Sequence, residues 1–536
     1  MLKVAAENDV VMLDGNSLAL RDVVKVARNN IPVKLHPLGK DKLIRSRQII
    51  EDIVNHKQTV YGVTTGFGKF SDVTIPKSDV DALQENIIKS HSCGVGEPLP
   101  TEVVRAMMLI RANSLVKGFS GVRVEVVELI LDMLNNGVHP VVPCKGSVGA
   151  SGDLAPLSHI ALAMIGLGEV VYEDKLMPAA EAFKKAGLQP LRLTAKEGLA
   201  LINGTQYMSA LGSLALWDAK ELWKVALVAA TMSFEALEGI PSALDPQVHM
   251  VRPHNGQMLV AQWMLRLLSG SELLERVKHN RVQDAYSLRC IPQVHGASLD
   301  ALGYIENVLN IEINSASDNP LIFPETGDVI SGGNFHGEPL ALVLDFLSIA
   351  MSKLGNISER RIERLVNPAL NGNLPAFLTE HGGLNSGLMI LQYTAAALVS
   401  ENKVLAHPAS VDSIPTSGNQ EDLVSMGSIA AYKARTVVEN VSWIVAGEVL
   451  AACQALDFVS HRIGKASQAV LSLVRKQVPH WEEDRIMYKD LETVHNLVIS
   501  GQIRDEVEKA VGLCFFNRYQ KKAERTKQFA AEEWWR

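Results

Sequence analysis

The chain has 536 residues, 47% of them hydrophobic and only 5% aromatic, with a formal net charge of -7. That balance leaves no basic face for a phosphate backbone and excludes nucleic acid as a partner, while the Ala, Leu, Val and Ile content favours helices over sandwiches. Five scattered cysteines (Cys93, Cys144, Cys290, Cys453, Cys514) include no C-x-x-C pair, so neither a disulfide framework nor a zinc ribbon is expected, and a reducing cytoplasm is.

The N-terminus, "MLKVAAENDVVMLDG", carries Glu7, Asp9 and Asp14 where a signal peptide needs an unbroken apolar run. Residues 1–110 read as a smaller mixed N-terminal domain, with short segments and the Gly-rich passage "YGVTTGFGKF" from Tyr61 to Phe70. Residues 111–536 read as a long helix bundle. "SGVRVEVVELILDMLNNGVHP" predicts a helix with Ser120 at its N-cap, Val126, Ile130 and Leu134 on its buried face, and Gly137 and Pro140 at its end. Further helices are predicted over 205–237, 337–364, 384–405 and 422–458, with no βαβ alternation between them. The fold class is therefore mostly α, a bundle of long antiparallel or parallel helices. Apolar runs such as Leu388 to Val399 are shorter than the roughly 20 residues a membrane span needs, so no membrane is expected. The charged tail, Arg518 to Arg536, reads as a solvated or loosely docked terminus.

One stretch carries unusual chemistry: "KGSVGASGDLAPLSHIA", Lys145 to Ala161. It is no nucleophile elbow, because Asp153 stands where the second Gly of G-x-S-x-G belongs. No Lys follows Gly152, which removes a phosphate-binding P-loop, and the glycine spacing removes a dinucleotide fingerprint. Two readings stay open. Ser151 or Asp153 caps a helix starting near Leu154. Alternatively, a tight Ala150-Ser151-Gly152 turn brings the Gly152 nitrogen to the Ala150 carbonyl carbon, and loss of water closes an imidazolone. Elimination of the Ser151 hydroxyl then leaves a conjugated methylidene, an electrophile made from the chain alone.

The same stretch resembles the signature of the aromatic amino acid ammonia-lyase and aminomutase family, which carries this methylidene-imidazolone (MIO) group. The resemblance runs from "YGVTTGFG" to "NQEDLVSM", through "SHSCGVGEPL", "LINGTQ", "RVQDAYSLRCIPQVHG", "NSASDNPL", "SGGNFHGE" and "GGLNSGLMI" in the same order, and is strongest to the histidine-acting members. It implies the fumarase- and aspartase-like ammonia-lyase architecture. It also implies an MIO from Ala150, Ser151 and Gly152, no external cofactor, no metal, and a homotetramer whose active sites gather loops from several subunits.

Elimination of ammonia from a small amino acid needs an electrophile, a base, a carboxylate clamp and a pocket for the side chain. The resemblance makes Tyr61 the base, a role that requires neighbours to lower its phenol from about 10. Arg289 is the planar clamp for the carboxylate, with Tyr286 three residues earlier. Tyr286 and Gln283 are implied to hydrogen-bond near the MIO and substrate, Asn203 to hold the electrophile or amine, and Phe335 to pack near the ring. His91 and Glu421 are implied to select the side chain. A carboxylate accepts an imidazole N–H, whereas a phenyl ring would leave it unpaired, so Glu421 points to L-histidine as substrate and trans-urocanate as product. Leu423 and Gly418 depart from the usual histidine pattern of His and Ala. A tyrosine or phenylalanine lyase, or a tyrosine 2,3-aminomutase, is the alternative. His336-Gly337-Glu338 echoes H-x-E, but no zinc-deaminase partner motif accompanies it.

Overall fold

The computed structural model describes residues 10–512 apart from 57 and 277–280. Cys514 and the tail expected to be solvated lie outside the described residues. The first described elements are the strands Val11–Leu13 and Val33–Leu35, paired in parallel across the helix Leu20–Asn29. Val11 and Leu13 are buried and Met12 is exposed, the alternation a half-covered strand requires. Helices Pro37–Asn55 and Val80–His91 follow. The strand Val95–Pro98 then pairs antiparallel with Pro143–Lys145, which lays the end of the His91 helix beside the Gly-rich stretch. The helix Thr101–Val116 is buried over almost its whole length, Arg105 and Arg111 included.

The helix predicted after Ser120 runs Val124–Asn135, with Val126, Ile130 and Leu134 buried and Gly137 at φ 71 beyond its end. Its N-cap is Arg123 and not Ser120. The buried Glu197 carboxylate accepts from the Arg123 backbone N–H at 3.1 Å and from its guanidinium at 2.8 Å, so a tertiary ion pair fixes the start.

The long helices are Gln206–Ala236, Ile291–Glu312, Glu338–Val366, Met389–Leu405 and Gly427–Leu456. Two start five residues later than the sequence predicts, at Met389 and Gly427. The Ser386 and Gly387 N–H groups are taken by Asp484, which delays the start expected at 384. Val424 donates to Ser413 Oγ and Met426 to the Val148 carbonyl, which holds 422–426 out of the helix expected from 422. Ile291–Glu312 lies outside the predicted set because Pro292, Gly296 and Gly303 dilute its helical signal. Gly296 is a close-approach residue: a Cβ there would stand 2.3 Å from the Gln257 nitrogen. Glu338–Val366 and Gly427–Leu456 are long and apolar enough to cross a membrane by length and composition, contrary to the expectation from uninterrupted runs, but their apolar windows are 67% and 78% buried in the protein.

Two compact units divide the chain. The first comprises Met1–Trp217, Tyr304–Ser348 and Leu405–Thr436, the second Asp218–Gly303, Ile349–Val404 and Val437–Arg536. In the first, Gly212 lets its helix approach Leu344 and Leu309. In the second, Ile362, Ala395 and Ile444 share a buried cluster, and the fully buried Arg361 and Glu448 pair at 2.5 Å.

Candidate active site

The Ala150-Ser151-Gly152 turn in the first unit is held from two sides. Gly204 donates to the Ser151 carbonyl at 3.3 Å and accepts from the Asp153 N–H at 2.7 Å. On the other side Ser425 donates to the Gly149 carbonyl, Ser428 to the Ser147 carbonyl, and Ala150 packs with Val424 and Met426. Gly152 sits at φ +76, and a Cβ there would stand 2.2 Å from the Gly204 oxygen, so only glycine fits. Among the described residues neither the Gly152 N–H nor the Ala150 carbonyl has a hydrogen-bond partner. The two groups that ring closure would join are thus the two that the turn leaves free.

Asp153 precedes the helix Leu154–Met164 but makes no side-chain cap to it. Its carboxylate instead accepts from the Tyr207 and Met208 N–H groups at 3.0 and 3.1 Å, capping the helix Gln206–Ala236. Ser147 donates to its other oxygen. Complete burial pushes this acid up to about 7 despite those three donors. The local-cap reading of Ser151 and Asp153 is thereby corrected: the carboxylate fastens the turn to a distant helix.

Glu421 ties the first-unit candidates together. Ser151 Oγ donates to its Oε1 at 3.1 Å, and Thr416 Oγ1 donates to Oε2 at 2.8 Å. Burial lowers the basicity of His91, opposed by the Glu421 charge; the ring also meets Ser90 Oγ at 3.0 Å. Tyr61 accepts from the Gly68 N–H at 3.4 Å. Its phenol is raised by burial and by the charges of Glu421 and Asp318, the Gly68 bond opposing. These neighbours thus do not supply the lowering that a tyrosine base requires.

Asn203 lies one residue before Gly204 and is buried, its Nδ2 donating to the Asn319 carbonyl at 3.0 Å and to Asp318 Oδ1 at 3.3 Å. Phe335 is half-buried in the loop before Glu338–Val366. Beside it His336 Nδ1 accepts from the Glu338 N–H, which leaves Nε2 to donate to the Leu423 carbonyl at 3.3 Å. His336 thus orders a helix start, and no cluster of metal-ligating groups occurs among the described residues. Leu423 turns its side chain outward and contributes its carbonyl.

The second unit holds Gln283, Tyr286 and Arg289. Tyr286–Arg289 is a single helical turn, with the Arg289 guanidinium carbon 4.6 Å from the Tyr286 ring centroid. Gln283 and Tyr286 are exposed, and Arg289 Nε is buried with no hydrogen-bond partner among the described residues.

The aromatic amino acid lyase family model matches residues 18–476. The chain belongs to the aromatic amino acid lyase family. It is a carbon–nitrogen lyase. It is 56% identical over 504 residues to the histidine ammonia-lyase of Alkaliphilus oremlandii and 58% identical to that of Caldanaerobacter subterraneus, each match spanning 94% of this chain and 99% of the relative. Among solved structures, the histidine ammonia-lyase of Trypanosoma cruzi matches at a TM-score of 0.87 with 47% identity, over 95% of this chain and 97% of that one. The tyrosine aminomutase of Streptomyces globisporus matches at 0.90 with 39% identity, over 95% and 100%. These likenesses bear out the mostly helical ammonia-lyase fold expected from the motifs. Three side chains that no sequence pattern singles out touch these residues or one another: Thr416 donates to Glu421, Asp318 accepts from Asn203, and Lys196 pairs with Asp318. The one signal for Lys196 is a lone Lys-Glu pair opening the apolar run "EGLALI".

Proposed function

We propose that this lyase eliminates ammonia from L-histidine to give trans-urocanate, using an MIO formed from Ala150, Ser151 and Gly152. The observation that carries the reading is the Glu421 carboxylate held 3.1 Å from Ser151 Oγ in a turn whose ring-forming atoms are free. The histidine ammonia-lyases aligned over nearly the whole chain support it.

When formed, the MIO supplies an electrophile for the substrate amine. The chain's own residues do the rest. Loss of the Ser151 hydroxyl frees Glu421 Oε1 to accept an imidazole N–H, while Thr416 keeps the other oxygen occupied. His91, its basicity lowered by burial, lines the ring side. Arg289 binds the carboxylate through its planar fork, with Tyr286 and Gln283 beside it. Tyr61 removes the β-proton. Its raised phenol requires a cationic neighbour, supplied by the substrate or by another subunit, to reach phenolate. The same reading takes the protein as a homotetramer whose active sites gather loops from several subunits. Residues 1–110 would then act as the N-terminal domain presenting Tyr61, residues 111–536 as the bundle carrying the MIO, and the cytoplasm as the compartment.

Incubating the purified protein with L-histidine, L-tyrosine and L-phenylalanine tests the proposal. Urocanate absorbance with histidine supports it. Coumarate from tyrosine, or a retained β-amino acid, assigns the alternative reading instead.

A further inference from the structure

Asn203 is anchored by a buried charge network outside the residues already given roles. Lys196 Nζ donates to Asp318 Oδ2 at 2.7 Å, with side chains 0% and 1% exposed. Asp318 Oδ1 accepts from the Asn319 N–H at 2.7 Å and from Asn203 Nδ2. Arg111, also buried, donates to the Asn203 carbonyl at 2.9 Å, to Gln206 Oε1 at 2.8 Å and to the Ala200 carbonyl. Lys196 holds a left-handed backbone at φ 69 directly before the helix Glu197–Ile202, which ends at Asn203. A lysine that is both fully buried and in a conformation favouring glycine is retained at a cost, which points to a role beyond packing.

The consequence lies in the Asn203 amide. Its Nδ2 faces two acceptors, the Asp318 carboxylate and the Asn319 carbonyl, so a flipped amide would set oxygen against oxygen. Oδ1 is thereby fixed on the side away from those acceptors, and it is buried with no hydrogen-bond partner among the described residues. A buried oxygen that can only accept requires a donor, and an amine N–H is one that can supply it. The neighbouring residue, Gly204, is paired to the Ser151 carbonyl, so this acceptor stands beside the turn where the substrate amine must arrive.

We propose that Lys196 and Asp318 are positioning residues which lock the Asn203 amide with its oxygen toward the substrate amine. The inference rests on the proposed elimination reaction. With Asp318→Asn the new amide can donate to Asn203, and the lock is lost. The test compares L-histidine with 3-(imidazol-4-yl)propanoate, which keeps the ring and carboxylate but lacks the amine. We expect kcat/KM for histidine to fall by about tenfold or more, the value of one hydrogen bond, while inhibition by the propanoate changes by less than about twofold. Equal weakening of both, or no change in either, overturns the proposal, because a merely structural role does not discriminate the amine. A variant that fails to lose two waters from the Ser151 peptide also overturns it, since the pair would then serve ring formation. Should Asp318→Asn not fold, the double variant Lys196→Met with Asp318→Asn removes the pair together, keeps the net charge of the buried network, leaves Arg111 on its carbonyl and Gln206 acceptors, and is read the same way. If the wild-type chain makes no urocanate, the functional reading fails, and the comparison is made with the amino acid it does turn over and its deaminated counterpart.

Discussion

Gly152→Ala is the perturbation that most directly probes the turn. The residue lies at φ +76, where a side chain costs about 1–2 kcal/mol. The new methyl would stand 2.2 Å from the Gly204 oxygen, closer than any real contact, so the segment around Gly204 must move. That movement breaks the Gly204 to Ser151 and Asp153 to Gly204 hydrogen bonds, each contributing about 1 kcal/mol. The sum is about 3–4 kcal/mol, concentrated where the ring must close. Urea unfolding monitored by far-UV circular dichroism measures the stability, and the mass of the peptide containing Ser151 measures ring formation. We expect a large fall in the unfolding midpoint together with loss of the modification. A Gly152→Ala protein within about 1 kcal/mol of wild type that still carries the modification would refute the reasoning, because the clamp would then not be rigid.

Glu421→Gln keeps the shape but removes the charge. Catalytic efficiency on L-histidine should fall by roughly 10–100-fold, the worth of a charged hydrogen bond, with relative activity on tyrosine and phenylalanine rising; unchanged selectivity would contradict the assignment. Because the Tyr61 phenol is raised above its ordinary value, a Tyr61 base predicts kcat/KM climbing by about tenfold per pH unit from neutral into the alkaline range, and Tyr61→Phe should abolish that limb. His139 is lowered to about 4 by burial and by the Arg105 guanidinium, and His495 is lowered to about 4 by burial. Both take up protons more readily when unfolded. Their contribution to stability is therefore full above about pH 6.5 and is lost as pH falls toward 4, and His139→Gln should flatten that slope in denaturation midpoints measured across the interval.

What was legible in the sequence follows from local rules. The spacing of Val126, Ile130 and Leu134 and the Gly137 stop mark a helix because burial and a left-handed end are encoded within a few residues. The Ser151 turn is legible because its chemistry needs adjacent residues. Where long-range partners decide, the sequence is silent. Glu197 starts a helix that Ser120 was expected to cap, Asp484 delays another, and Asp153 caps a helix some fifty residues away. Gly296 reads as a helix weakener, yet it is the contact that lets its helix approach Gln257. Tyr61 shows the same limit in electrostatics, since Glu421 and Asp318 reach it only through the fold. Lys196 and Asp318 are far apart in sequence and become a unit only when their burial is known.

The central claim is that Ser151 is a precursor and not a nucleophile. Mass spectrometry of the purified protein, focused on the peptide from Lys145 to Ala161, tests it most directly. The account predicts a wild-type peptide lighter than its sequence by two waters, and a Ser151→Ala protein that folds, lacks that deficit and has lost nearly all activity. An intact Ser151 in an active wild-type enzyme would contradict it.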